Sequence, residues 1–166
     1  MTIDSRTFRD ALGRFASGVC VVTTVGADGR RIGVTISAFS SLSLDPPLVL
    51  FCIGKGSANL DAWLDGDRFT VNVLGDGQEA LSELFASQRD DKFAGVAGHL
   101  GDNGCFVVAG ALVSLACRRV RIYDEGDHHI VVGEVEDVEP GADDGPLLRF
   151  RAAYRRMAAL ATEVGR

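Results

Sequence analysis

Hydroxyl side chains recur at Thr35, Ser37, Ser41 and Ser43 in the segment from Gly33 to Leu48, which closes on Asp45-Pro46-Pro47. On an extended chain, residues two apart share a face. A row of hydroxyls with backbone amides gives neutral donors and acceptors that orient a polar heterocycle and a polyol chain without burying charge. The same segment also reads as an exposed strand and loop. Further along, Lys55-Gly56-Ser57-Ala58-Asn59 follows an apolar run and opens a helix, with Ser57 as its cap. Backbone N–H groups, a hydroxyl and an ammonium there suit a phosphate; a simple capped helix is the alternative. Asp127-His128-His129 sits where a turn enters a strand. Adjacent strand residues face opposite sides, so only one histidine of the pair can face a site; a surface or structural histidine is the alternative reading. A metal centre is not expected, because the remaining histidine is the isolated His99.

Simple catalytic motifs are absent. There is no G-x-S-x-G, no H-E-x-x-H and no Walker lysine loop. Gly95, Gly98, Gly101 and Gly104 recur every three residues, which is not the dinucleotide fingerprint. A nucleotide cofactor would therefore be held on a fold other than the Rossmann type.

Alternating and β-branched runs must position these residues. A helix is expected from Asp4-Ser5, with Phe8, Leu12 and Phe15 on one face and Gly18 beyond its end. Strands are expected over 19–25 and 31–37, joined by the Asp28-Gly29 turn. The run 48–53 is apolar on both faces, and 69–74 is a further strand. A short helix holds Leu60 and Trp63, and another spans 78–88. A glycine-rich loop, 95–104, precedes two long strands, 111–123 and 129–138, turning at 124–127. A last strand, 147–151, leads to a tail, 154–160, with helical character. About six mostly antiparallel strands with three or four helices make one α+β domain on a closed barrel.

The composition sets bounds. The 166 residues are 46% hydrophobic and 24% charged, which excludes a disordered chain. Seventeen basic residues against 23 acidic ones give a net charge of -6, which argues against nucleic acid as a partner. Glycine is abundant, at 20 residues against 4 prolines. The longest apolar stretch, Pro46 to Gly54, falls far short of the ~20 residues of a membrane span. Residues 1–6 lack the basic-then-apolar pattern of a secretory leader. Cys20, Cys52, Cys105 and Cys117 are scattered among apolar neighbours, so free buried thiols and a cytoplasmic location are expected.

Taken together, these segments resemble the short-chain flavin reductase family, the reductase components of two-component flavin-dependent monooxygenases. The likeness runs from about Phe8 to Leu160, with its pieces in family order. They are Gly18-Val19 with Val22-Thr23-Thr24, the Gly33 to Leu48 segment, and Phe69-x-Val71-Asn72-Val73-Leu74 with Gln78, Phe85-Ala86 and Lys92-Phe93. Then come Asp127-His128-x-Ile130, Gly133-Glu134-Val135, and Pro146-Leu147-Leu148 with Phe150 and Tyr154. Ala38, Arg149 and Ala152 depart from the family's usual serine, aromatic and glycine, and Asn59 stands in place of a threonine.

The resemblance implies a mainly β, α+β fold: the FMN-binding split barrel, a six-stranded antiparallel Greek-key barrel with flanking helices, formed by residues 1–166 as one domain. It implies an NAD(P)H:flavin oxidoreductase passing a hydride from NADH, or NADPH, to FMN or FAD, and supplying a partner oxygenase. Thr35, Ile36, Ser37, Ala38 and Ser41 map to the segment holding the isoalloxazine edge and ribityl chain. Ser57 and Asn59 map to the phosphate end, with Lys92. His128 and Tyr154 map near the nicotinamide, His128 as the catalytic-site residue that orients it. A homodimer is implied, with no role for nucleic acid or membrane. A non-catalytic flavin-binding or electron-transfer barrel is the alternative. A pyridoxamine-phosphate oxidase type is disfavoured, because the chain shows no clustered arginines for that phosphate.

Overall fold

A computed structural model describes residues 3–157. Helix α1 (Ser5–Leu12) is followed by β1 (Ser17–Gly18), β2 (Cys20–Val25), β3 (Arg31–Ile36), β4 (Phe39–Leu44) and β5 (Pro47–Gly54). Helix α2 (Leu60–Asp65), β6 (Arg68–Val73) and α3 (Glu79–Ala86) come next. Then follow β7 (Gly98–Leu100), β8 (Phe106–Val108), β9 (Val113–Glu125), β10 (His128–Pro140), β11 (Leu148–Phe150) and β12 (Ala153–Arg155).

Seven strands form the main sheet, in the order β3-β2-β6-β9-β10-β5-β4, and every pair is antiparallel. Its two edge strands, β3 and β4, are joined only by Ser37 and Ala38. A flat sheet of this size would hold its edges ~29 Å apart. Three Cα steps reach at most about 11 Å. The sheet must therefore curl until its edges meet, and the Cys52 N–H donates to the Ala38 carbonyl at 3.0 Å, extending the β4–β5 ladder into the connecting segment. The β3 and β4 edges do not pair with each other, so the expected six-stranded closed barrel is a seven-stranded barrel split at this seam. Short side sheets, β1-β11-β12 and β7-β8, flank it.

The curled sheet encloses one apolar cluster that includes Val22, Ile36, Phe51, Trp63, Phe69, Val71 and Val131. A second cluster, with Val21, Leu74, Phe85, Phe93, Phe106 and Leu147, lies where α3 and β8 cover the outer face. Asn72 joins the layers: its side chain donates to the Val21 carbonyl at 3.1 Å and accepts from Val108 N–H at 2.9 Å and Ser114 Oγ at 2.8 Å. A fully buried amide needs such complete pairing.

Several expectations are corrected. Strand β5 buries Val49, Phe51 and Ile53 but leaves Leu48, Leu50 and Cys52 half-buried, so only one of its faces is fully covered. Helix α1 forms with Asp4 as its cap, yet its apolar residues Phe8 and Leu12 are exposed. Asn59, not Ser57, precedes the first turn of α2, and neither side chain caps it. The glycine-rich loop contains β7 and the turn of the β7–β8 hairpin. Tyr154 lies in β12 rather than in a helix, and 158–160 lie outside the described residues.

Candidate functional site

Beside the seam lies a groove of about 560 Å³, with residues 34–38 of β3 and its exit on one side. Residues 52–57, with Asp127 and His128, form the other. The sequence places Thr35, Ile36, Ser37, Ala38, Ser57 and His128 in the site, and the fold brings all six to this groove. The expected row of hydroxyls is broken, because the chain leaves β3 at Ile36 and enters β4 at Phe39. Ser41 consequently stands exposed on β4 opposite Val49, away from the groove.

What the seam offers instead is backbone. Among the described residues, the N–H groups of Ser37 and Ala38 make no hydrogen bond, nor do those of Gly56, Ala58 and Asn59 on the facing loop. Solvent-facing unpaired donors on two sides of a groove suit the neutral edge of a heterocycle and an anionic tail. Ser37 and Ala38 are exposed, and a Cβ added at Gly56 would meet open space.

Thr35 and Ile36 serve the site from behind. Ile36 points its side chain into the core. The Thr35 hydroxyl donates to the Ser82 carbonyl at 2.6 Å, fixing β3 to α3. The Ser82 hydroxyl in turn bonds the Tyr154 hydroxyl at 2.8 Å, so Tyr154 braces α3 from its far side and does not line the groove. Ser82 carries no motif, and only the folded chain reveals it.

His128 is half-exposed and pairs across the strands with Gly54. A Cβ at 54 would lie 3.6 Å from His128 Nε2, an ordinary contact, which places the ring over β5 at this glycine. His128 Nδ1 is 2.6 Å from Asp127 Oδ1. The His128 hydrogen bond holds the Asp127 carboxyl below its ordinary value, and a carboxylate only accepts. Nδ1 therefore carries the proton, leaving Nε2 free for a ligand. His129 falls on the opposite face, paired with the core residue Ile53. Lys55, which also lines the groove, makes an ion pair with Asp124 at the hairpin.

The groove narrows toward a neck of about 90 Å³ shared through Val34 and Ser57. Here Asn59 and Lys92 join Ser57, as the sequence suggests. Lys92 Nζ donates to the Phe85 carbonyl at 2.9 Å and lies 3.4 Å from the Gly33 carbonyl. Partial burial pushes its ammonium below the ordinary lysine value. Arg30, Arg31 and Arg89 also line the neck. Arg30 and Arg31 are neighbours in sequence and the fold brings the remote Arg89 to them, which corrects the expectation of no arginine cluster. Arg31 stacks over the Phe93 and Phe106 rings at 5.1 and 5.2 Å, while Arg30 is held by Asp28. The donor set thus fits a flavin: free amides at one end, cations and a hydroxyl at the other.

Comparison with known proteins agrees. Residues 12–158 match the flavin reductase like domain family. A flavin reductase of Pseudomonas putida is 37% identical over 158 residues, covering 95% of this chain and 93% of that protein. The reductase component of 4-hydroxyphenylacetate 3-monooxygenase from Thermus thermophilus is 43% identical over 150 residues, covering 90% and 95%. The NADH:FAD oxidoreductase of Streptomyces globisporus, solved with NAD and FAD fragments, superposes with a TM-score of 0.88 at 37% identity, covering 97% and 99%. With its split barrel, its free amides at the seam and its cationic neck, the chain belongs to the flavin reductase family.

Proposed function

We propose that this flavin reductase, working as one unit over its whole length, takes its hydride from NADH and binds its flavin along the seam groove. The observation that carries this reading is the convergence of free N–H groups at Ser37 and Ala38 with the His128 ring on one groove. Bound flavin supplies the hydride acceptor, so the protein needs no nucleophile or carboxylate pair. Its residues must hold two rings face to face, with reacting atoms ~3–3.5 Å apart. Ser37 and Ala38 orient the ring edge. Ser57, Asn59 and Lys92 hold the phosphate end. His128, oriented by Asp127, presents Nε2 to the nicotinamide side, and its role is positioning. The groove is open on one side, which suits release of the product to a partner oxygenase.

A homodimer completes this reading. Phe8, Leu12 and Phe15 are 53, 56 and 80% exposed, and Leu44 is 95% exposed. Apolar groups so exposed call for a second copy. Among the described residues no helix is long and apolar enough to cross a membrane, and the four thiols are free. Reduced thiols suit a cytoplasmic setting.

The test mixes the protein with NADH and then adds FMN or FAD while the NADH absorbance is followed. Flavin-dependent loss is expected. A tightly flavin-bound protein that leaves NADH untouched would replace this reading with the electron-transfer module.

A further inference from the structure

Helix α1 carries an apolar ridge that its own chain leaves uncovered. Phe8 and Leu12, four residues apart, share one face of the helix and both are exposed, as is Phe15 just beyond its end. Arg9 borders this ridge, with Arg6 one turn before it. Asp10, two residues from both Phe8 and Leu12, lies on the far side. On the outer face of α3 runs a groove of about 300 Å³. Ala80, Leu81 and Leu84 of α3 form one wall, with Ala94, Ala97 and Val108 opposite. Every lining residue is apolar or glycine, and most are alanine or glycine, so the groove has room for large side chains from outside. Glu79 and Glu83, one turn apart on α3, border it beside Ala80. Among the described residues, Arg6, Arg9, Glu79 and Glu83 have no ion-pair partner.

Ridge and groove are complementary in shape and in charge, and they flank one hairpin. The Arg151 N–H donates to the Gly13 carbonyl at 2.7 Å, which ties the end of α1 to β11–β12. From the same hairpin the Tyr154 hydroxyl reaches Ser82 of α3. A twofold axis beside the hairpin can therefore bring each α1 to the α3 of another copy. We propose that α1 of one copy docks in the α3 groove of a second copy, which returns the same contact. The proposal rests on the chain being a homodimer. Phe8 and Leu12 enter the groove, and Arg6 and Arg9 meet Glu79 and Glu83 at its rim. Such an exchange closes at two copies. It also bears on the flavin groove, because α3 supplies the Ser82 and Phe85 carbonyls that hold Thr35 and Lys92. The docked helix braces that wall.

The test is sedimentation of the whole chain over a range of concentrations, for the wild type, for Phe8→Asp/Leu12→Asp and for Ala80→Arg/Ala97→Arg. All four positions are exposed, so the fold tolerates the changes. The wild type is expected at twice the chain mass. Each variant alone should dissociate about a hundredfold more readily, the scale of leaving two large apolar side chains in water. An equimolar mixture should pair at concentrations where neither variant does, because the intact α1 of one enters the intact groove of the other. Where a variant does not fold, Arg6→Glu/Arg9→Glu and Glu79→Lys/Glu83→Lys make the same comparison: each weakens the dimer, and mixing them restores it. Variants that pair as tightly as the wild type overturn the proposal. So does a mixture of folded variants that does not recover, which would seat α1 on another surface, such as a second α1. A wild type that stays a single chain at every concentration overturns the homodimer itself, a result distinct from a dimer that the variants leave intact.

Discussion

The Thr35 hydroxyl lies 2.6 Å from the Ser82 carbonyl oxygen, so the strand that lines the groove is fastened to α3 rather than to the ligand. Thr35→Val removes that bond and keeps the shape. We expect a stability loss of about 1 kcal/mol, the worth of one neutral hydrogen bond. Flavin affinity should fall only modestly, and Thr35→Ser should restore both. Urea unfolding and a flavin titration check this. A large loss of flavin affinity with stability unchanged would mean that the hydroxyl contacts the ligand itself.

His128→Ala should raise the NADH KM more than it lowers kcat, because an orienting contact serves ground state and transition state alike. A fall in kcat with KM unchanged would reverse this assignment.

Asp127 adds a pH condition. Its carboxyl lies below the ordinary carboxylate value, held there by the His128 hydrogen bond. The contribution of a depressed group is present above its unfolded value and is lost as pH falls through its folded value. The orientation that Asp127 gives should therefore persist through neutral and mildly acidic pH. Asp127→Asn should raise the NADH KM across that whole range. A rise confined to high pH would count against the pair.

Gly33→Ala should be costly. A Cβ there would lie 2.5 Å from the Phe85 ring, and Phe85 is fully buried. Overpacking of this kind costs roughly 1–3 kcal/mol. Phe85 also presents the carbonyl that Lys92 holds, so flavin affinity should drop along with the melting temperature. A stable variant with wild-type affinity would show that the ring moves freely.

Much of this arrangement was legible in the sequence. Strands β2, β3 and β6 carry β-branched runs, and the Asp28-Gly29 turn places Gly29 at φ 78. The failures have physical causes. Hydroxyl periodicity assumed one extended chain, whereas Ser37 and Ala38 turn between opposite edges of the sheet. The cationic neck joins residues near 30 to residues near 90, a pairing made by α3 packing that no local pattern encodes. The glycine-rich loop hid a hairpin because Gly98 fits only without a side chain, its Cβ position falling on the Val107 carbonyl.

Ser57→Ala should weaken FMN binding by roughly 1 kcal/mol. In the structure the Ser57 hydroxyl makes only a 3.3 Å contact with the neighbouring Ala58 carbonyl, so it is free to turn toward a phosphate. An unchanged FMN titration would remove it from the site.

Cysteine reactivity gives a footprint of the groove. Burial pushes the Cys20 and Cys117 thiols up to about 12 and Cys105 to about 11. Only the thiolate reacts, so these three should resist alkylation at neutral pH. Cys52 is also raised by burial, yet it is the one half-buried thiol and it lines the groove beside Gly54 and Ala38. Iodoacetamide should modify Cys52 first, slowly, and faster as pH rises. Saturating flavin should slow that step by covering the groove. Peptide mapping with and without flavin reads the outcome. If bound flavin leaves Cys52 labelling unchanged, the ligand sits elsewhere, and the roles given to Ser37, Ala38 and His128 fall with it.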